Sequence, residues 1–208
     1  MTTTTAETSP LLDALRESLG SKADAFVEAG LPTQRSEDYR YVTMRRLRTG
    51  SFTAPTAPPA DPGRGEPFAF RGLEARRVVL VNGFRNEALS TLHALPRGVR
   101  LTVDPAGRLA DFVPETGPGA RRDFFWNLNT AFARPLVHLD VPAGVHLADP
   151  VHFVLRSLAS AGATPIHSGR ILVTLGEGAC ATVLRTTESS GAGAYLANYH
   201  VQYELAAG

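Results

Sequence analysis

The chain has 208 residues, 43% of them hydrophobic and 20% charged, with a formal net charge of +1. That length suits one domain or two small ones and lets roughly two thirds of the unfolded surface go inside. The near-neutral balance argues against a nucleic-acid binder, which is usually strongly basic, and against an acidic disordered tail.

Residues 1–9 open with a threonine run that lacks the basic and apolar regions of a secretion signal, and they read as disordered. Ser9-Pro10 then starts a helix, with serine as N-cap and proline at the first helical position. Leu11, Leu12, Leu15 and Leu19 make its apolar face, and Gly20 ends it. Ser21 caps a second short helix carrying Phe26 and Val27, which stops at Gly30. Ser36-Glu37-Asp38 reads as a third helix start, because acidic residues favour the positive end of the helix dipole. Tyr39 to Leu47 continues that helix, with arginines at 45, 46 and 48 near its C-terminal end. This is the pattern of a well-terminated surface helix; the alternative is an arginine patch for an anionic partner. Residues 10–50 thus form a helical N-terminal region.

Residues 51–67 hold five prolines and read as a linker. Residues 68–135 read as a mixed α/β region. Arg77–Asn82 is a buried strand with Asn82-Gly83 as its turn, and Val99–Val103 is another strand. Asp123–Ala133 is a short helix carrying Phe124, Phe125, Trp126, Leu128 and Phe132. From Leu136 onward only strands are expected: Leu136–Val141, Val151–Leu155, Arg170–Leu175, Ala181–Thr186 and Tyr199–Leu205. No stretch approaches the ~18 consecutive apolar residues that span a membrane. The expectation is a soluble, cytoplasmic protein. Fifteen prolines and nineteen glycines between short apolar runs disfavour a helical bundle.

Three boundaries in the last third repeat. Leu139–Leu147, Val173–Ala181 and Tyr203–Gly208 each lead an alternating strand into a turn closed by glycine, at Gly144, Gly178 and Gly208. Such self-similarity in a strand-only region suggests a solenoid, here a parallel β-helix over residues 136–208. An antiparallel sandwich with similar turns is the alternative. A β-helix ending at Gly208 would expose the edge of its last coil. The chain is therefore expected to be the N-terminal part of a longer protein, or to dock another β-structure on that edge.

The ordered motifs resemble a known family. Leu31-Pro-Thr-Gln-Arg-Ser-Glu-Asp-Tyr-Arg-Tyr41, continuing to Arg46-Leu47, resembles the N-terminal signature of SufD-like proteins, with Tyr39 where they usually have tryptophan. Val79-Leu-Val-Asn-Gly83, Asp123–Ala131, Val141–Val145 with Asp149-Pro150, and His167–Gly178 resemble later segments of the same family, in the same order. The resemblance implies a mainly β protein with a helical N-terminal part and the start of a right-handed parallel β-helix, truncated at Gly208 relative to that family. It implies a non-catalytic subunit of a SufBCD-type complex, which assembles iron–sulfur clusters and transfers them. The implied partners are a SufB-like paralogue and a SufC-like ABC ATPase, the latter bound through a C-terminal region outside this sequence. A homodimer is a further option, and neither nucleic acid nor membrane is an expected partner. The resemblance implies no cofactor held by this segment, with a cluster present only transiently in the full complex. It carries over no catalytic residue.

The residues themselves offer a few metal-ligand candidates. Cys180 is the single cysteine, which excludes an internal disulfide. It reads as a small core filler, or as a thiolate ligand needing partners from another chain. His138, His146 and His152 lie close in sequence with Asp140 and Asp149 near, and imidazole plus carboxylate could hold iron, manganese or zinc. They read as exposed strand histidines, or as the ligands of a cupin-like metal-binding β-protein. A carbohydrate-binding β-helix ranks last, because Phe153, Tyr195, Tyr199 and Tyr203 are few and no paired carboxylates accompany them. No phosphate loop with a lysine exists, since Lys22 is the only lysine, so ATP hydrolysis is expected in a partner.

Overall fold

The alternation of branched apolar residues after Leu136 builds strands that bury one face each. The computed structural model describes residues 9–20, 31–33, 39–92, 94–104, 124–132, 136–162 and 164–207. Among these residues the protein is mainly β, with three helices. The helices are α1 (Pro10–Leu19), α2 (Arg45–Thr49) and α3 (Phe124–Phe132). The strands are β1 (Phe52–Thr53), β2 (Arg76–Val81), β3 (Phe84–Thr91), β4 (Arg100–Asp104), β5 (Leu136–Val141), β6 (Val151–Leu158), β7 (Thr164–Leu175), β8 (Val183–Ser190) and β9 (Leu196–Leu205).

They form two sheets. The first has the order β1-β7-β5-β4, with β9 on the other edge of β7; the second has the order β3-β2-β6-β8. Successive strands from β5 to β9 alternate between the sheets, and β7, β8 and β9 each pair in parallel with the strand two before it. Leu136 pairs with Arg170, Val151 with Val183 and Ile166 with Leu196, offsets of 34, 32 and 30 residues. Every pairing within this run is parallel, unlike an antiparallel sandwich. The antiparallel pairings belong to β3 on β2 and to β4 on β5.

The main core lies between the sheets. Val78 and Leu80 of β2, Val137, Leu139 and Val141 of β5, Phe153 and Leu155 of β6, and Ile171 and Val173 of β7 all face into it. Period-two alternation puts His138, His152, Arg156 and Arg170 on the outer faces.

Two stacked turns set the register. Gly144 and Gly178 have φ of 70° and 64°, the left-handed region that glycine enters at little cost. Gly144 N donates to Glu177 O, and Gly176 N donates to Val141 O, each at 2.8 Å. A Cβ on Gly176 would stand 2.4 Å from Ala143 N, so the upper turn sits directly on the lower.

A second cluster holds the helical corner. Leu11, Leu12 and Leu15 of α1, Leu47 of α2 and Leu128 of α3 pack with Leu31, Met44, Phe52 and Ile166. Ile166 is on the outer face of β7, so this corner caps the outside of the first sheet.

Three sequence expectations change. Ser9 sits at the N-cap of α1 but makes no side-chain cap; its hydroxyl donates to Leu47 O at 3.2 Å, which ties α1 to α2 instead. The helix expected from Tyr39 to Leu47 is confined to Arg45–Thr49, because Tyr39–Tyr41 form a turn in which Val42 N donates to Tyr39 O. Strand β3 is unexpected: its half-exposed residues lack apolar alternation, and pairing to β2 makes it a strand. The helix expected at 21–30 and the helix start at Ser36–Asp38 lie outside the described residues. The proline-rich segment carries β1, and its far end lies against β6, where Arg156 donates to the carbonyls of Pro62 and Gly65.

Candidate functional site

Each candidate histidine hydrogen-bonds to a residue 32 to 36 positions further along the chain. His138 Nε2 shares a hydrogen bond with Thr174 Oγ1 at 3.0 Å, and His152 Nε2 shares one with Thr186 Oγ1 at 2.9 Å. His146 Nε2 donates to Gly178 O at 3.2 Å. His138 is on the outer face of the first sheet and His152 on that of the second, so the three imidazoles do not converge; His152 is buried and not exposed as expected, because Phe68 and Phe70 cover its ring. Among the described residues no group of three or more His, Cys, Asp or Glu side chains could hold a metal ion. The nearby carboxylates are engaged as well: Asp140 with Arg100 at 2.8 Å and Asp149 with Arg76 at 2.9 Å.

His146 and Cys180 are the two candidates brought side by side. They face each other in an isolated parallel bridge at the corner between the sheets, and Cys180 is exposed. The sequence reading of Cys180 as core filler therefore changes: the strand-like alternation breaks at the turn, and residue 180 points outward. Burial, followed by the Arg77 guanidinium, holds the His152 imidazole below its ordinary pKa, with Glu188 opposing them. His152 is thus neutral at neutral pH.

The aromatic residues weighed for a carbohydrate groove do not form one. Phe153 is in the core, and Tyr199 faces the same interior. Of that set, Tyr203 stands out on the surface.

The motif residues meet at a joint that sequence spacing did not reveal. Asn129 of α3 accepts from Arg170 Nε at 2.7 Å and donates to Gly169 O at 3.2 Å and Asn198 O at 2.6 Å. Asn198 in turn donates to Phe125 O at 2.8 Å. Thus one buried amide clamps the helix across β7 and β9. The Arg170 guanidinium also lies 5.0 Å from the Trp126 ring centre, and burial lowers its pKa to about 10. The Trp126 ring also meets His200 edge-on at 4.1 Å. Asn82, with φ of 52°, makes the β2–β3 turn and locks the end of β6: it donates to Leu158 O at 3.1 Å and accepts from Leu158 N at 2.7 Å. These are positioning contacts.

One exposed feature among the described residues is an edge near the end of the strand run. β8 terminates the second sheet, and β9 pairs with β7 alone among the described strands. Tyr203 and Leu205 share the inward-facing phase of Tyr199 and Val201, yet they are 54% and 67% exposed. Among the described strands β9 is thus an edge that carries uncovered apolar side chains, a setting in which further β-structure can pair.

Comparison with known proteins adds a family. Residues 2–153 match the model of the SufBD protein N-terminal region. An iron–sulfur cluster assembly SufBD family protein of Synechocystis sp. (strain ATCC 27184 / PCC 6803 / Kazusa) is 28% identical over 177 residues. The match covers 82% of this chain and 38% of that relative, so the chain spans well under half of its length.

Proposed function

The chain belongs to the SufBD family, and on that premise we propose that it serves iron–sulfur cluster assembly as a non-catalytic subunit of a SufBCD-type complex. The observation that carries this reading is the family match over residues 2–153, joined to the regular parallel pairing of β5 to β9. In this reading β5 to β9 are the first coils of a right-handed parallel β-helix. The alternation between two sheets and the regular parallel offsets support it. The protein works through interfaces: further β-structure stacks on the edge, a SufB-like paralogue pairs with the β-helix, and a SufC-like ATPase supplies the hydrolysis. The cluster is cargo of the complex and not a resident group of this segment, and the complex operates in the cytoplasm. No observation favours the cupin-like reading, since its three histidines lie apart.

The test is an anaerobic affinity purification from native lysate, with the chain as bait and, where the reading frame continues, a longer bait. Recovery of a SufB-like protein and an ABC-type ATPase with either bait is the expected result. Recovery of neither protein with both baits would overturn the proposal.

A further inference from the structure

The interior between the sheets changes character at one end. Along most of its length it is apolar, lined by Phe153, Leu155, Ile171 and Val173. Where β6 passes to β7, the same inward phase brings in Ser157 and His167, both 0% exposed. Neither the Ser157 hydroxyl nor either ring nitrogen of His167 has a hydrogen-bond partner. Tyr195 lies flat on the His167 ring, centroids 5.4 Å apart and planes 15° apart. Tyr199 reaches the same end from β9, across Gly169 and near Leu80. Its buried hydroxyl stands beside the Gly83 backbone and completes no hydrogen bond of good geometry.

This end is closed. Gly193 N donates to Ala159 O at 3.0 Å. A Cβ on Gly191 would stand 2.2 Å from Ala159 O, and one on Gly193 would stand 1.9 Å from Ser160 O. The two loops are therefore stacked backbone on backbone.

Buried polar atoms rarely stay unpaired in a folded protein, and a small polar molecule is the usual partner when side chains supply none. The chemistry here selects a neutral one. A neutral imidazole offers one donor and one acceptor, and each hydroxyl offers both. Burial alone pulls the His167 pKa down to about 4, with no charged group contributing. A bare cation would find no carboxylate in this set, and an anion no guanidinium. We infer that the unpaired polar atoms of Ser157 and His167, with the Tyr199 hydroxyl, bind ordered water between the sheets at this end. This inference is independent of the functional reading above.

The test is a high-resolution crystal structure of the unmodified chain at neutral pH, with elemental analysis of the same preparation. Expected are one or more water peaks about 2.7–3.2 Å from His167 and from at least one of the two hydroxyls. Direct hydrogen bonds among the three side chains with no density between them would overturn it. So would a stoichiometric metal that is lost from the His167→Phe variant. In solution, magnetisation exchange between bound water and the His167 ring N–H checks the same point without a variant.

Discussion

The stacked strands β5–β9 and the helical corner of α1, α2 and α3 are stabilised in different ways. The strand region is held by continuous parallel ladders, by turns that sit backbone on backbone, and by outer rungs such as His138–Thr174 and His152–Thr186. The corner is held by a cluster of long apolar side chains, with Ser9 tying α1 to α2 and the Asn129 amide fastening α3 to β7 and β9. Ladder geometry is repeatable, so it propagates and leaves an edge that can accept more of the same. Side-chain packing is particular to its partners and ends where they end. The strand region is therefore built by repeating one pairing, and the corner by contacts that do not repeat.

The sharpest way to separate the two is Leu128→Ala. Leu128 is fully buried in the corner cluster, and its truncation is expected to cost about 3 kcal/mol. Hydrogen exchange should then show lost protection in α1 and α3 with β5–β7 still protected; equal loss in both would mean that the regions unfold as one unit. Gly176→Ala attacks the strand region instead. Its new Cβ meets the Ala143 backbone, and the expected cost is about 2 kcal/mol, read from urea denaturation. An unchanged midpoint would mean that the turns are not in direct contact.

Asn129→Ala acts on the joint between the regions. It removes the amide that binds Gly169, Arg170 and Asn198, for an expected loss of about 1–2 kcal/mol. Because α3 is then less firmly attached, limited proteolysis should cut near it first. Early cleavage elsewhere would place the weak point away from this clamp.

The smallest expected effect is a pH slope. His167 titrates near 4 when folded and near 6.5 when unfolded, so the unfolded chain binds more protons in between. This contribution to stability is complete above about pH 6.5, falls as pH drops toward 4, and changes no further below that. His167→Gln should lose that component of the slope when urea midpoints are compared at pH 7.5, 5.5 and 4. An unaltered slope would assign the acid sensitivity to other groups, His152 and His200 among them, since both are also lowered by burial.

Much of the strand region was legible because period-two alternation and glycine turns are local signals. Leu136–Val141 is placed as expected, and Val151–Leu155 lies within β6. Of the three repeated boundaries, those at Gly144 and Gly178 are turns joined by backbone hydrogen bonds, and Gly208 lies outside the described residues. Strand β3 was not legible, because a half-exposed edge strand carries little alternation and forms by pairing with β2. The short helix α2 was misjudged in extent, because its turn at Tyr39–Tyr41 is made by backbone contacts that charge patterning does not encode.

The candidate site shows the same division. Residue types and order were enough to mark the family motifs, the three histidines and Cys180. Their meaning depends on which residues pair in parallel, 30 to 34 positions away, and no local signal carries that register. Folding pairs His146 with Cys180, sends His138 and His152 to opposite outer faces, and joins Asn129 to Arg170 across 41 positions. Backbone propensity acts over a few residues and so is written locally. Contacts between paired strands arise only when the ladders form, and the tertiary structure alone decides them.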